Sequence, residues 1–514
     1  MAIIRINGIE GLSATRIPPN SLEEASMENL LPTAAGPLHQ EVDAVFVDLD
    51  GTLIGTDLLY EALVLTIRHD PRLLLQLPSW LLRGRAHTKQ RLSERVAFDV
   101  RYLPCRSDVL ELLAEARASG ARLVLATASD RAWAASIAEQ LGIFDDMLAS
   151  DGDRNLKGPA KRDAIRDYCR ERGLSRFAYI GDSRADLPVW AEASRAIAVA
   201  PSASVRAALE RGDVPVQLLG RRAARPRDLV RAMRPHQWAK NLLLFLPIIL
   251  AHAWFDAARW GHAVLAFVAF CACASAVYVC NDVLDLESDR AHPRKRERPF
   301  ASGALPIVWG PPLVFGLLVV ALGIAALLPS MFLGLLALYL ATSTAYSFWL
   351  KRKAMIDVIV LSGLYTLRIL AGGVATDTRV SEWLMALSIF LFTSLAFSKR
   401  FSELLRLHEE GKESAQGRNY RPGDLGVIES LGTSCGFISV VVLALYIQSP
   451  DVHQYYRLQW PLWMICPLLM YWISRIWLLA RRGQLGEDPI VFTLGDRTSR
   501  LVAALVFAFM LIAS

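Results

Sequence analysis

Hydrophobic and polar positions divide the chain into two regimes. Before residue 220, short apolar runs alternate with helical periodicity; after residue 237, long apolar runs dominate. Ala44 to Val47 leads straight into Asp48-Leu49-Asp50-Gly51-Thr52, Arg122 to Ala126 ends in Thr127, Phe177 to Ile180 ends in Gly181-Asp182, and Ala196 to Val199 follows. Helical patterns lie between them over 108–119, 131–141 and 161–172. Strands alternating with helices predict an α/β domain on a parallel sheet, with ligands at the carboxyl ends of the strands. Those ends carry the polar residues here. The insertion from about Ile54 to Cys105 is rich in leucine and arginine and predicts a helical cap over the site. Its Leu73-Leu74-Leu75, Leu77, Trp80, Leu81 and Leu82, beside Arg72, Arg83 and Arg85, suit the cap's own core, the reading we favour, or a surface leaning on a membrane.

Nine apolar segments follow, at about 238–255, 262–281, 307–328, 331–350, 355–375, 383–401, 428–448, 460–480 and 497–514. Each approaches the roughly 20 residues that cross a bilayer core. They predict an all-α membrane domain of nine transmembrane helices over 235–514. Residues 41–220 form the α/β domain, 221–234 a basic proline-bearing linker, and 1–40 a polar, disordered tail without the apolar core of a signal peptide. Loops after the second, fourth, sixth and eighth segments carry Arg290 to Arg298, Lys351 to Lys353, Lys399 to Arg421 and Arg481 to Arg500. The opposite loops carry little beyond Arg259, Arg379 and Arg457. By the positive-inside rule the α/β domain faces the cytosol of a bacterial-type inner membrane.

Composition adds little to this division. The chain is 53% hydrophobic with a net charge of +6, and its cations cluster beside apolar spans, so nucleic-acid binding is not expected. Seven cysteines, without C-x-x-C spacing, read as small buried hydrophobes rather than a disulfide framework or zinc site.

At the strand ends of the α/β domain, a carboxylate attacking a phosphate meets a repulsion of roughly 4 kcal/mol per charge pair. Something cationic must offset it. Asp48 with Asp182 and Asp186 can hold Mg²⁺, joined by Asp50 as a candidate ligand. Lys161 can neutralise further charge, Thr127 can hydrogen-bond phosphoryl oxygens, and Asp50 can protonate the leaving group. The set resembles the haloacid dehalogenase phosphohydrolases, over roughly residues 41 to 205: Asp-x-Asp-Gly-Thr, a strand-end Thr, a Lys, then Gly-Asp-x-x-x-Asp, in family order. That resemblance implies a Rossmann-like fold, an aspartyl-phosphate on Asp48, and Asp50 as acid and base. Lys157 and Lys161 both fit the family lysine; Lys161, which opens a helix, is preferred.

Asn281-Asp282-x-x-Asp285-x-x-x-Asp289 closes the second apolar segment. In a continued helix at 100° per residue, Asp285 lies about 60° and Asp289 about 20° from Asp282, so the three carboxylates share a face. Such a face lines a wet cavity or binds a cation. With the Asn281 carbonyl, the oxygen donors suit Mg²⁺ held together with substrate phosphates. The segment and the nine spans resemble the UbiA prenyltransferase superfamily. Where that superfamily places a second aspartate motif after its sixth helix, this chain reads Lys399-Arg400-Phe401-Ser402-Glu403.

The departure points to a narrower resemblance, the decaprenyl-phosphate phosphoribosyltransferase branch, carried by Arg234-Pro235-His236-Gln237-Trp238-Ala239-Lys240-Asn241, by Asn281 to Pro299 with its His-Pro and Arg-Pro ends, and by Lys399-Arg400 with Glu403. It implies transfer of 5-phosphoribose from phosphoribosyl diphosphate to a polyprenyl phosphate in the lipid bilayer. It also implies a catalytic role for Asp285 and substrate binding by Lys240, Asn241, Arg290, Lys295, Arg298, Tyr346, Lys351, Lys399 and Arg400. The expected enzyme is bifunctional: the phosphatase domain removes the 5-phosphate from the lipid product, each site uses Mg²⁺, and the chain can form a homo-oligomer. Two other readings are aromatic prenyl transfer from an isoprenyl diphosphate, which the missing second aspartate motif disfavours, and an N-terminal domain acting on another ester or serving as a scaffold.

Overall fold

The computed structural model describes residues 42–514 apart from 152–153, 221–225, 410–418, 451, 453–454 and 487. The expected N-terminal tail and residues 221–225 of the linker therefore lie outside the described residues. Residues 226–232 form a short helix, Pro226–Ala232.

Six strands build one sheet: β1 (Ala44–Val47), β2 (Arg122–Asp130), β3 (Asp146–Ser150), β4 (Phe177–Gly181), β5 (Arg195–Val199) and β6 (Val216–Leu219). Their order is β3-β2-β1-β4-β5-β6, and every pairing is parallel, with Phe46 opposite Val124 on one side and Tyr179 on the other. β1 and β5 are buried throughout because helices cover both faces, so apart from Arg195, which opens β5, they read as continuous apolar runs rather than alternating ones. Chain order reverses around β1, and that reversal opens a crevice beyond the carboxyl ends of β1 and β4.

Between β1 and the helix Ser107–Ala118, the insertion folds into helices Leu58–His69, Leu77–Leu82 and Arg85–Ser93. An antiparallel bridge of Ile54 with Cys105 joins its two ends. The first of these helices starts where Asp57 accepts a hydrogen bond from Leu59 N, has Glu61 in its first turn and ends on Arg68 and His69, so its charges complement the helix dipole. Trp80 is buried, and Leu73 and Leu77 pack into the domain core. Leu75, Leu81 and Leu82 instead stand 84%, 53% and 91% exposed.

Beyond residue 256, seven helices among the described residues are long and apolar enough to cross a membrane: Ala257–Leu284, Ile307–Ala325, Ser330–Phe348, Ile356–Ala375, Glu382–Glu409, Pro422–Gln448 and Trp460–Arg481. Nine spans are not established. The first apolar segment breaks into a 3-10 helix, Pro235–Phe245, and a short α-helix, Leu246–Leu250. Pro247, lacking an N–H, cannot continue the preceding ladder and sits in the first turn of the second piece. The ninth segment forms the 17-residue helix Arg497–Ala513.

The expected continuous helix through the aspartates is also corrected. It ends at Leu284, Asp285 adopts φ −99° and ψ 17°, and a second helix runs from Leu286 to Ala291. The cap and the membrane part share a core, since Val64 belongs to the same apolar cluster as Leu286, Phe300, Leu305 and Ile307.

Candidate active sites

The first site lies at the carboxyl ends of β1 and β4. Asp48 follows β1 and Asp182 follows β4, while Asp186 comes from the turn after it. The three offer carboxylate oxygens within 4.8 Å of one another. Lys161, buried in the first turn of the helix Pro159–Arg172, reaches Asp48 at 3.0 Å and Asp186 at 3.3 Å. Lys157 is exposed. Tyr179 donates its hydroxyl hydrogen to Asp186 at 2.7 Å, and the Ser183 N–H and hydroxyl donate to the other oxygen of that carboxylate. Gly51 is required here: φ is +77°, and a Cβ would stand 2.5 Å from Asp182 Oδ2.

The electrostatics separate the carboxylates. Burial, then the Asp48 and Asp186 charges, pushes Asp182 up to about 8. Burial raises Asp48 in spite of Lys161. Burial also works against ionised Asp186, but Lys161, the Tyr179 hydroxyl and Ser183 hold it below the usual carboxylate range. Asp50 stands apart from the trio: its Oδ1 accepts from Leu58 N at 2.9 Å, and its Oδ2 accepts from the Ser129 hydroxyl. Burial, then Asp57, pushes it up to about 7, the range in which a carboxyl group both gives and takes a proton near neutrality. Thr127 is fully buried on β2, its hydroxyl accepting from Ser129 N at 3.0 Å.

Sequence reasoning missed two groups in this site. Ser129 orients Asp50. Lys89, from the cap helix Arg85–Ser93, donates to the Ala128 carbonyl at 2.5 Å, beside Thr127 and Ser129. Burial lowers its pKa while the Asp50 and Asp57 charges oppose that shift. One lysine in a basic insertion carries no local signal; only the folded cap brings it there.

The second site lies around the break at Asp285. Asp282 is 1% exposed and pairs with Arg234 and Arg298; Arg298 also reaches Asp289 at 2.6 Å. Asp285 faces the other way, 3.8 Å from Arg68 of the cap and 3.8 Å from Lys351. Asn281 donates through Nδ2 to Ser347 at 2.9 Å. Lys295 lies in the short turn Lys295–Glu297. Lys240 and Lys399 share Asp488, at 2.5 and 3.5 Å. Arg400 is held by Asp357 at 2.6 Å, Glu403 at 2.5 Å and the Tyr346 hydroxyl at 3.0 Å.

Two expected residues lie apart from these groups. Asn241 is buried against Arg368, at 2.8 Å, and Cys271, and Arg290 makes a bidentate pair with Glu61 of the cap at 2.7 and 2.9 Å. Asp488, Arg234 and Glu61 are the acids and bases that sequence reasoning did not assign. Asp488-Pro489 carries a helix-start signature, which marks a cap and not a partner for lysines distant in the chain.

The first site fits a hard cation, and the second offers one orphaned acceptor. The first offers oxygen donors around a surplus of negative charge. In the second, Asp282 Oδ2 is buried with no hydrogen-bond partner among the described residues, an acceptor position that would otherwise be costly. Among the described residues only Asp48, Asp182 and Asp186 form a close three-acid group; the aspartates of the second site are more widely disposed.

An α/β domain with a cluster of carboxylates at its strand ends, joined to a helical membrane domain, defines the class, and comparison with known families gives the same division. Residues 45–190 match the haloacid dehalogenase-like hydrolase family and residues 242–500 the UbiA prenyltransferase family. The chain belongs to the UbiA prenyltransferase family and carries a haloacid dehalogenase-like domain at its N-terminus; it is a multi-pass membrane enzyme. It is 38% identical over 469 residues to the uncharacterized protein y4nM of Sinorhizobium fredii, covering 89% of each chain. It is 37% identical over 286 residues to the nodulation protein NoeC of Azorhizobium caulinodans, covering 55% of this chain and 91% of that one. It is 40% identical over 181 residues to the decaprenyl-phosphate phosphoribosyltransferase of Mycolicibacterium smegmatis, covering 34% of this chain and 57% of that one.

Proposed function

We propose that the membrane domain transfers 5-phosphoribose from phosphoribosyl diphosphate to a polyprenyl phosphate, and that the N-terminal domain then hydrolyses the 5-phosphate of the lipid product. The contact of the phosphatase cap with the Asp282–Asp289 segment carries this reading, because it supports two sites working on one side of the membrane on one lipid. The loop charges support the cytosolic side of an inner membrane. The similarity to decaprenyl-phosphate phosphoribosyltransferases supports the donor and acceptor classes.

In the transferase, Asp282 and Asp289 would hold Mg²⁺, with Asn281 and Asp285 flanking them, and the ion would offset the charge of the departing diphosphate. Arg234 and Arg298 donate to the same anionic group, with Lys295 and Lys351 beside it. Lys240 and Lys399, tied through Asp488, hold the second phosphate, and Arg400 with Tyr346 orders the part of the helix Glu382–Glu409 that carries Lys399. An oxygen of the lipid phosphate bonds to ribose C1 as the C1–diphosphate bond breaks.

In the phosphatase, Asp48 attacks phosphorus and Asp50 protonates the departing ribose oxygen. Asp50 then takes a proton from the water that cleaves the aspartyl-phosphate. Lys161 offsets the charge repelled between Asp48 and phosphate, and Asp182 with Asp186 would hold the cation opposite them.

The test supplies labelled phosphoribosyl diphosphate and polyprenyl phosphate to wild type and to Asp48→Asn, and weighs the lipid. Polyprenyl phosphoribose without the 5-phosphate is expected from wild type only, with the phosphorylated form accumulating in the variant. Identical lipids from both would overturn the second step, and labelling from an isoprenyl diphosphate instead would overturn the first.

A further inference from the structure

The helix Leu58–His69 touches both sites. At its start, Leu58 N donates to Asp50 Oδ1 at 2.9 Å. One turn later, Glu61 is 4% exposed and receives both terminal nitrogens of Arg290. The side chains of this pair are 5% and 7% exposed, and Arg290 is fixed further by its Nε donating to the Ala301 carbonyl at 3.0 Å. At the far end, Arg68 donates to the Leu284 carbonyl at 3.3 Å and stands 3.8 Å from Asp285. Helix rise sets Leu58 and Arg68 about 15 Å apart. Gly303 closes the contact: its φ is +75°, and a Cβ there would lie 2.9 Å from the Gly55 carbonyl oxygen.

The segment held in this way is the one that departs from continuous helix. Asp285 sits at the break, and the six-residue helix Leu286–Ala291 carries Asp289. Six residues hold little helix on their own, since nucleation is unfavourable and short helices draw their stability from tertiary contacts. The polar contacts to the α/β domain come at the two ends of this stretch: Arg68 at Leu284 and Asp285, Glu61 at Arg290.

We propose that Glu61 is a positioning residue for the transferase: through Arg290, the first cap helix of the phosphatase domain sets the geometry of the turn bearing Asp285 and Asp289, so the transferase reaction requires the N-terminal domain. The proposal rests on the transferase reading for its catalytic consequence. The fixing of the turn stands on the contacts alone. Glu61 touches no substrate and belongs to no group of the phosphatase site.

The experiment uses the full-length protein in detergent and compares wild type with Glu61→Gln, Arg290→Gln and the double variant. Hydrogen exchange of peptides spanning 284–292 reports the turn without reference to any donor. At least tenfold faster exchange there in each variant, with peptides from β1 and β4 unchanged, is expected. The double variant should be no faster than the singles, because the two residues act as a unit. The activity arm follows lipid formation from labelled phosphoribosyl diphosphate as Mg²⁺ is varied. A tenfold or greater loss with a raised Mg²⁺ requirement is expected, while hydrolysis of a soluble phosphate ester stays within twofold.

Unchanged exchange at 284–292 would overturn the proposal, as would equal loss of both activities, which signals general unfolding. Faster exchange with an unchanged transfer rate and Mg²⁺ response would overturn its catalytic half. If wild type does not use this donor, the proposed function fails, and the exchange arm still decides whether Glu61 holds the turn.

Discussion

Lys161→Met isolates the charge logic of the phosphatase site. The change keeps much of the side chain's apolar length and removes the ammonium that faces Asp48 at 3.0 Å and Asp186 at 3.3 Å. At an effective dielectric of 20 each attraction is about 5 kcal/mol. Desolvation offsets much of this, and removing one partner of a buried pair costs about 3–5 kcal/mol. These side chains are at most 11% exposed, so solvent screening does not shrink the figure. With a urea slope of about 2 kcal/mol/M, the unfolding midpoint of the N-terminal domain should fall by about 2 M at pH 8.

The pH dependence gives the sharper check. In wild type, Asp186 is held below its ordinary value, so its contribution is present above the unfolded pKa and lost as pH falls through the folded one. Without Lys161 the carboxylates keep their protons to higher pH. Their folded pKa values then exceed the unfolded ones, and stability is lost as pH rises through them. The deficit of the variant should therefore be small at pH 5 and grow toward pH 8, and millimolar Mg²⁺ should restore part of it. Pulse proteolysis across a urea series, scoring the N-terminal fragment in detergent, measures this. A deficit below about 1 kcal/mol, or one that does not change with pH, would refute the reasoning, since a pair worth about 3–5 kcal/mol must register.

Three further outcomes are expected. With burial pushing Asp50 up to about 7, its proposed role as the acid on the leaving oxygen requires phosphatase kcat/KM for an alkyl phosphate to fall as pH rises through 7, and Asp50→Asn should remove that limb; a profile unchanged by the substitution would exclude Asp50 as the acid. Lys89→Met should raise KM for a phosphate ester about tenfold with kcat within about threefold, the loss of one charge-assisted contact, and an unchanged KM would leave Lys89 as a cap tether to Ala128. Asp488→Asn should lower lipid formation at least tenfold and leave the phosphatase intact, because Lys240 and Lys399 lose their shared counter-charge; equal loss of both activities would count against this role.

The parallel sheet was legible because β1 and, after Arg195, β5 are apolar on both faces, and β1 and β4 lead directly into Asp48 and Asp182. Asp48 and Asp182 were legible because each follows directly on an apolar strand, while Thr127 lies within β2, which runs on to Asp130, and Lys161 opens a helix; those two were legible from the order of the motifs. What was not legible depends on contacts between distant parts of the chain. Periodicity carried the helix straight through Asp285, yet Arg68, Lys351 and the Glu61–Arg290 pair hold a break there. The first apolar segment has the composition of a span, but Pro247 divides it. Asp488 looks like a helix cap in sequence and becomes a lysine partner only when the last helices pack beside Lys240. Lys89 is one cation among many until the cap folds over the sheet.

The Glu61–Arg290 pair also bears on how the chain is made. The partners are separated by 229 positions, and synthesis at about 5–20 residues per second leaves Glu61 waiting roughly 10–45 s before Arg290 exists. During that interval the sheet can form while a carboxylate and Val64, both destined for burial, face solvent. The cap then reaches its final setting only after the second apolar helix has been delivered to the bilayer. Membrane insertion would thereby time the maturation of the N-terminal domain, and a nascent chain stalled before residue 290 would display a cap open to proteases and chaperones.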